Sequence, residues 1–346
     1  MSLRHRIILT INNSNNSGIN VDNYLTMTDL SGGLSVQLSI NDCEYCIDGD
    51  GVWVALAAGT GTPSLSKGQT ISFRGTLTPN SSTGIGTFTV SGSCGLSGNC
   101  MSMLFGDEAA NNKSLSGKSY AFYKLFQSCT GIKSVSSDFL PATTLATYCY
   151  RNMFYGCTGL TSAPSLPSTS LSSYCYHPMF RGCTSLTSAP SLPATTMQTY
   201  CYAYMFYGCT KLSTVPSLSS TSLANYCYYY MFRGCTSITS PPALPATTLK
   251  TYCYSYMFYG CTGILRAPIL NATTLVTGCY NYMFYNCSSL WYIKAMFTTA
   301  PSESYTKSWV YGVSTATSCV FLKNTLATWD VTGEHGIPSG WQITLA

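Results

Sequence analysis

The stretch PSTSLSSYCYHPMFRGCTSLTSAPSL, residues 167–192, decides the architecture of this chain, because close variants of it recur at a fixed interval. Cys149, Cys175, Cys201, Cys227, Cys253 and Cys279 stand 26 residues apart, and so do Cys157, Cys183, Cys209, Cys235, Cys261 and Cys287. Twelve of the 18 cysteines therefore belong to one period. Such a period signals a solenoid, in which each unit is too small to bury its own apolar face and does so against its neighbours. A seventh, degenerate unit precedes the six clear ones. It has Ala121 at the first Cys position, Leu125 and Phe126 for Met and Phe, and Cys129 at the second Cys position. A two-residue insertion around Asp138 then restores the phase, and the array spans 119–292.

Within a unit, Leu171, Cys175, Met179 and Phe180 are spaced to predict a short, irregular helical turn with its apolar side inward. Cys183, Leu186 and Ala189 recur every three residues until Pro190, which predicts a short strand on the other wall of the coil. The segment from Leu140 to Pro164, L-P-x-T-T-L-x-x-Y-C-Y-x-x-M-F-x-G-C-T-x-L-T-S-A-P with x for variable positions, resembles the BspA-like (Treponema-type) leucine-rich repeats. The likeness lies in the Phe, Cys and Leu columns and covers roughly half the chain. Cys stands here where those repeats usually have Ile, and Met where they have Ala. The resemblance implies a leucine-rich-repeat solenoid of about seven coils in which the inward Cys bonds the backbone of the coil. It also implies a kinship with surface proteins of gut Bacteroidales and virion proteins of their phages, in which a β domain commonly precedes the repeats.

Two readings of the cysteine columns stand side by side. Free Cys is a small, well-buried hydrophobe suited to stacking. Coils near ~4.8 Å apart also fall within the ~4.4–6.8 Å Cα range of a disulfide. Zinc does not fit the 8- and 18-residue spacings, which lack a partner His. Cys43 and Cys46 form a C-x-x-C, but Cys94 and Cys100 do not, so local disulfides or burial are expected there. No metal or cofactor is expected.

Ahead of the repeats, residues 1–105 read as a β-sandwich-like attachment module. Arg6 to Ile11, Leu34 to Ile40, Val52 to Leu56, Gln69 to Leu77 and Gly86 to Ser93 are apolar or alternating and are separated by Gly, Asn, Ser and Pro. Asp48-Gly49-Asp50-Gly51 lacks the later Glu of a calcium loop and reads as a hairpin turn. Residues 106–118 read as a linker or N-terminal cap. Residues 293–346 read as a C-terminal cap that closes the apolar end with Trp309, Trp329 and Trp341, beside Trp291; an aromatic binding tip is the alternative.

Of 346 residues only 8% are charged, while 27 are Tyr, so solubility rests on hydroxyl and amide surface. No apolar run approaches the ~18 residues of a membrane span. The apolar stretch after Arg4, His5 and Arg6 is too short for an export signal, and the net charge of +5 is too dispersed for nucleic acid. Between Phe139 and Pro301 there is no Asp or Glu, whereas Arg151, Arg181, Lys211, Arg233, Lys250, Arg266 and Lys294 are present. Glycoside hydrolysis by paired carboxylates and hard-metal sites are thereby excluded from the array. Its one histidine, His177, has no acid near it in sequence, so a Ser-His-Asp arrangement finds no support.

The array instead offers rows. The position after Phe holds Tyr155, Arg181, Tyr207, Arg233, Tyr259 and Tyr285. The third position after the first Cys holds Asn152, Pro178, Tyr204, Tyr230, Tyr256 and Tyr282. On one face these form a Tyr and Arg strip suited to glycans or protein; as plain structure they cover the Met and Phe core. The expectation is a non-enzymatic structural and adhesive protein: a phage virion protein, capsid-decorating or a tail-associated fibre, assembled in the host cytoplasm. Its N-terminal module would join other virion proteins and its repeats a bacterial surface glycan or protein, with a homo-oligomer compatible. A bacterial cell-surface adhesin is the alternative, and a Tyr-based polysaccharide lyase acting through Tyr204 and Tyr230 a remote one.

Overall fold

A computed structural model describes residues 18–346; the expected strand from Arg6 to Ile11 lies outside them. The N-terminal part folds into β1 (Leu25–Asp29), β2 (Ser35–Leu38), β3 (Cys43–Ile47), β4 (Val54–Leu56), β5 (Thr70–Arg74), β6 (Phe88–Ser91) and β7 (Cys94–Gly98). Four of these fall in expected segments, whereas β1, β3 and β7 carry Thr, Cys and Gly that mask their strand character. The hairpin reading of Asp48 to Gly51 agrees with the antiparallel pairing of β3 with β4. Its carboxylates accept backbone amides, Asp48 from Thr70 and Asp50 from Val52, each at 2.8 Å.

The repeat array completes the N-terminal sheet. Strand order is β4-β3-β5-β1-β7-β8, and β8 (Ile132–Val135) comes from the first repeat, parallel to β7. The pair β2-β6 lies against this sheet, with the rings of Phe73 and Phe88 5.1 Å apart. One apolar core runs from Leu25 to Trp341. Cys43 on β3 and Cys94 on β7 are three strand positions apart, about 14 Å at ~4.8 Å per strand, so the four N-terminal thiols do not gather.

Each repeat contributes a coil, and the expected helical turn is absent from it. The chain returns to positive φ at every fourth residue: Tyr200, Tyr204 and Gly208 in one coil, Tyr226, Tyr230 and Gly234 in the next. A helix cannot pass through left-handed residues. Amides alternate between two kinds of bond. Tyr202, Tyr204, Phe206 and Gly208 donate to Cys227, Tyr229, Met231 and Arg233 of the following coil, at 2.8–3.1 Å. Cys201, Ala203, Met205, Tyr207 and Cys209 donate to the carbonyl three residues back. Every second amide thus ties one coil to the next, and the others close tight turns that hold Cys, Met and Phe inward.

Glycine is the ordinary occupant of a left-handed site, so the ten tyrosines with positive φ are unexpected. Such a residue costs about 1–2 kcal/mol. The offset comes from ring stacking, because identical φ at identical positions places each ring on the next. Where Gly278 replaces Tyr, the Tyr252 ring fills the space that a Cβ would need.

On the other wall, regular strands form only in β8, β9 (Tyr292–Ala295) and β10 (Val320–Lys323), with β11 (Gln342–Leu345) added at the end. Between them the wall is reduced to single parallel bridges such as Ser162 with Ser188 and Ser188 with Thr214. The cause is Pro164, Pro190, Pro216, Pro242 and Pro268, which remove ladder donors; β8 and β9 carry no proline.

The stack also continues past 292. Tyr280, Tyr282, Phe284 and Asn286 donate to Tyr305, Lys307, Trp309 and Tyr311, and Ser308 and Gly312 take up positive φ. Residues 304–313 are therefore an eighth coil, with Trp309 in the Met column. Trp309, Trp329 and Trp341 are buried and donate their indole N–H to the carbonyls of Gly336, Phe297 and Ser314. Those three rings belong to the interior at the end of the stack and are not presented for binding.

All 18 cysteines are free and buried, which decides for thiol packing over cross-coil disulfides. The columns differ in chemistry. In the second column the thiols of Cys183, Cys209, Cys235, Cys261 and Cys287 donate to the Phe carbonyl of the preceding coil at 2.9–3.1 Å. In the first column Cys201 has only the Met197 sulfur, at 3.8 Å. A serine hydroxyl therefore finds an acceptor at Cys209 and none of comparable quality at Cys201. We expect Cys201→Ser to cost about 1 kcal/mol more than Cys209→Ser, measured by urea unfolding; equal costs would remove the distinction between the columns.

Candidate binding face

The turn geometry sets which side chains reach the surface. The residue after Phe lies between Phe and the left-handed Gly, and the residue three after Cys is itself left-handed, so both point away from the core. All ten strip residues, Tyr155, Arg181, Tyr207, Arg233, Tyr259, Tyr285, Tyr204, Tyr230, Tyr256 and Tyr282, are half-buried on one face. Alternating Tyr and Arg form one continuous stack. The Arg181 guanidinium lies 5.5 Å from the Tyr155 ring and 4.3 Å from that of Tyr207; Arg233 lies 5.2 Å from Tyr207 and 4.3 Å from Tyr259. Tyr259, Tyr285 and Tyr311 continue the row at 4.6 and 4.8 Å. Beside it Tyr204, Tyr230, Tyr256 and Tyr282 stack at 4.1–4.7 Å.

A third row escaped the sequence reading. Tyr120, Tyr148, Tyr174, Tyr200, Tyr226 and Tyr252, which precede the first Cys column, stack at 4.5–5.0 Å. Its signal was the same 26-residue recurrence. The tyrosines after that Cys, from Tyr150 to Tyr280, instead turn inward and are buried. Adjacent tyrosines of the sequence thus go to opposite sides of the coil wall.

The face is cationic. Among the described residues neither Arg181 nor Arg233 has a carboxylate partner, and stacking leaves the guanidinium edges available. The hydroxyls of Tyr204 and Tyr230 are held above the ordinary tyrosine range, first by burial. They are therefore protonated at neutral pH, and the ionised phenolate is rarer there than for free tyrosine. His177 is pushed down to about 4, by burial and then by the charge of Arg151, and is neutral. Among the described residues no three His, Cys, Asp or Glu side chains converge as metal ligands, and no helix is long and apolar enough to cross a membrane.

A BspA type leucine-rich repeat region model matches in 6 copies over residues 119–239 and 179–312, more than half of the sequence. The chain belongs to that family. Membership suggests a surface or adhesive repeat protein. No curated protein matches the chain, and no solved structure does.

Proposed function

We propose that this is a non-enzymatic structural and adhesive protein that contacts a bacterial surface glycan or protein through the Tyr and Arg face. The observation that carries the reading is the stack of Tyr and Arg rows on an array without a single Asp or Glu between Phe139 and Pro301. Rigid aromatic rings give contact area at low entropic cost, and Arg edges meet anionic or hydroxyl-rich partners. The N-terminal module supplies attachment. Its surface carries Asp42, Glu44, Asp107 and Glu108 around Arg74, which pairs with Glu44 and Asp107, and the acidic excess suits a basic partner.

The setting we propose is a phage virion, as a capsid-decorating protein or tail-associated fibre assembled in the host cytoplasm. Eighteen free, buried thiols support it, because they suit folding in a reducing compartment. The family's surface character supports a second reading, a bacterial cell-surface adhesin. Immunogold imaging separates them: label on purified particles supports the first, and label on the envelope of uninfected cells the second.

Glycan-array or whole-cell capture tests the face itself. Joint Arg181→Ala and Arg233→Ala substitution is expected to weaken capture by about tenfold or more, while each alone changes stability by no more than about 1 kcal/mol. Undiminished capture by the double variant would overturn the face as the contact surface.

A further inference from the structure

The second strip row is broken in one coil, where Pro178 stands in the register of Tyr204, Tyr230 and Tyr256. The break works against the fold. In the neighbouring coils the residue at this position donates its N–H to the next coil, Asn152 to His177, Tyr204 to Tyr229, Tyr230 to Ser255 and Tyr256 to Asn281. Proline has no N–H, so the carbonyl of the fully buried Ala203 loses that donor. Unpaired polar atoms gather beside it. Arg151 Nε, Asn152 Oδ1 and His177 Nδ1 are buried without a hydrogen-bond partner among the described residues. Departures from local rules of this kind concentrate at functional sites.

The gap opens a cavity of about 410 Å³, within the size range of small-ligand sites. It is lined by Tyr174 and Tyr200, by Pro178 and Tyr204, by Arg181, and by His177 and Tyr229. Because Pro178 carries no aromatic ring, Tyr204 is the first tyrosine of its row. The His177 ring stands edge-on to Tyr204 at 5.3 Å, and the Arg181 guanidinium lies 5.9 Å from the same ring. The position of His177 in the next coil is Ala203, too short to fill the space.

We infer that this cavity binds a single acidic sugar ring, a hexose bearing a carboxylate or sulfate, against the Tyr204 ring with its anionic group on Arg181. An aromatic face accepts the C–H face of a sugar. A guanidinium without a carboxylate partner offers its forked donors to a carboxylate or sulfate. Neutral His177, with one donor and one acceptor nitrogen, serves a ring hydroxyl. The inference rests on the glycan-contact reading of this face and narrows it to one subsite.

Calorimetric titration of the full chain with galacturonate and with galactose 6-sulfate tests it, with galactose and acetate as controls. At least one acidic sugar is expected to bind, with galactose and acetate each weaker by about tenfold or more. Pro178→Tyr restores both the ring and the N–H, so it is expected to raise the thermal midpoint while weakening the acidic sugar by about tenfold or more. Arg181→Met, which retains the stem against Tyr207, is expected to lose the acidic sugar to the same extent. Lys211→Ala, at an exposed cation outside the strip rows, is expected to bind it as the unaltered chain does.

Absence of binding by both acidic sugars, equal binding of acetate, or undiminished binding in Pro178→Tyr or Arg181→Met would overturn the subsite. Those results leave the broader face standing wherever the double arginine variant still loses cell capture. Loss of sugar binding in Pro178→Tyr with cell capture indifferent to the double variant would do the reverse, retaining the subsite and removing the face.

Discussion

Raising the pH is expected to unfold this protein cooperatively between about pH 9 and about pH 11. Burial pushes the thiols of Cys43, Cys94, Cys129, Cys149, Cys201, Cys209, Cys261 and Cys279 from the ordinary 9.0 up to about 12. Those of Cys157, Cys175, Cys183, Cys227, Cys235, Cys253 and Cys287 are raised well above 9.0 for the same reason. The folded values lie above the unfolded ones. Each thiol therefore contributes stability that is complete below pH 9 and lost as pH rises toward 12. At pH 10 the loss is on the order of 1 kcal/mol per thiol. For the eight thiols at about 12 this reaches on the order of 10 kcal/mol, comparable with the whole stability of an ordinary fold, about 5–15 kcal/mol.

Circular dichroism in reductant across this range, read together with thiolate absorbance, checks the expectation. Thiolate should appear with the loss of structure. Native ellipticity with ionised thiols at pH 10.5 would show that the columns are hydrated, contrary to their packing.

The second large effect is expected at Phe206. Its ring is fully buried and stacks between Phe180 and Phe232, 5.7 Å from each. The ladder it belongs to starts at Phe88 on β6, passes Phe126 and Phe154, and reaches Phe284 and Trp309. Phe206→Ala should cost about 3–5 kcal/mol. Coils contact only their neighbours, so the gap should also split one denaturant transition into two as the halves uncouple. Tyr207→Ala, one residue away on the outer face, should cost about 1 kcal/mol or less. A Phe206→Ala cost below about 1 kcal/mol would show that the ladder does not couple the coils.

Much of this organisation was legible in residue order. The 26-residue period placed both Cys columns, the Met and Phe interior and two surface rows in their correct relative positions. Glycines such as Gly182 and Gly208 recur with the same period and occupy one left-handed turn per coil. The other two turns were hidden, because tyrosine at Tyr200 and Tyr204 carries no local signal for positive φ and the spacing of Leu, Cys and Met imitates a helix. The eighth coil was hidden for a related reason: Tyr305 and Trp309 occupy Cys and Met positions, and only the coil-to-coil amides reveal the register. In the N-terminal part, β7 was obscured by Gly95 and Gly98, yet Gly98 is required there because a Cβ would collide with the Tyr24 carbonyl.

Sequence by itself determined the repeat, its period, the inward columns and the absence of carboxylates from the array, because these follow from residue type and interval alone. Tertiary structure decided which tyrosines face outward, that the second Cys column donates to the preceding coil, that the first repeat completes the N-terminal sheet, and that Pro178 leaves a cavity. Each of these depends on the sign of φ and on contacts between residues about one period apart. Such contacts exist only once the coils are stacked.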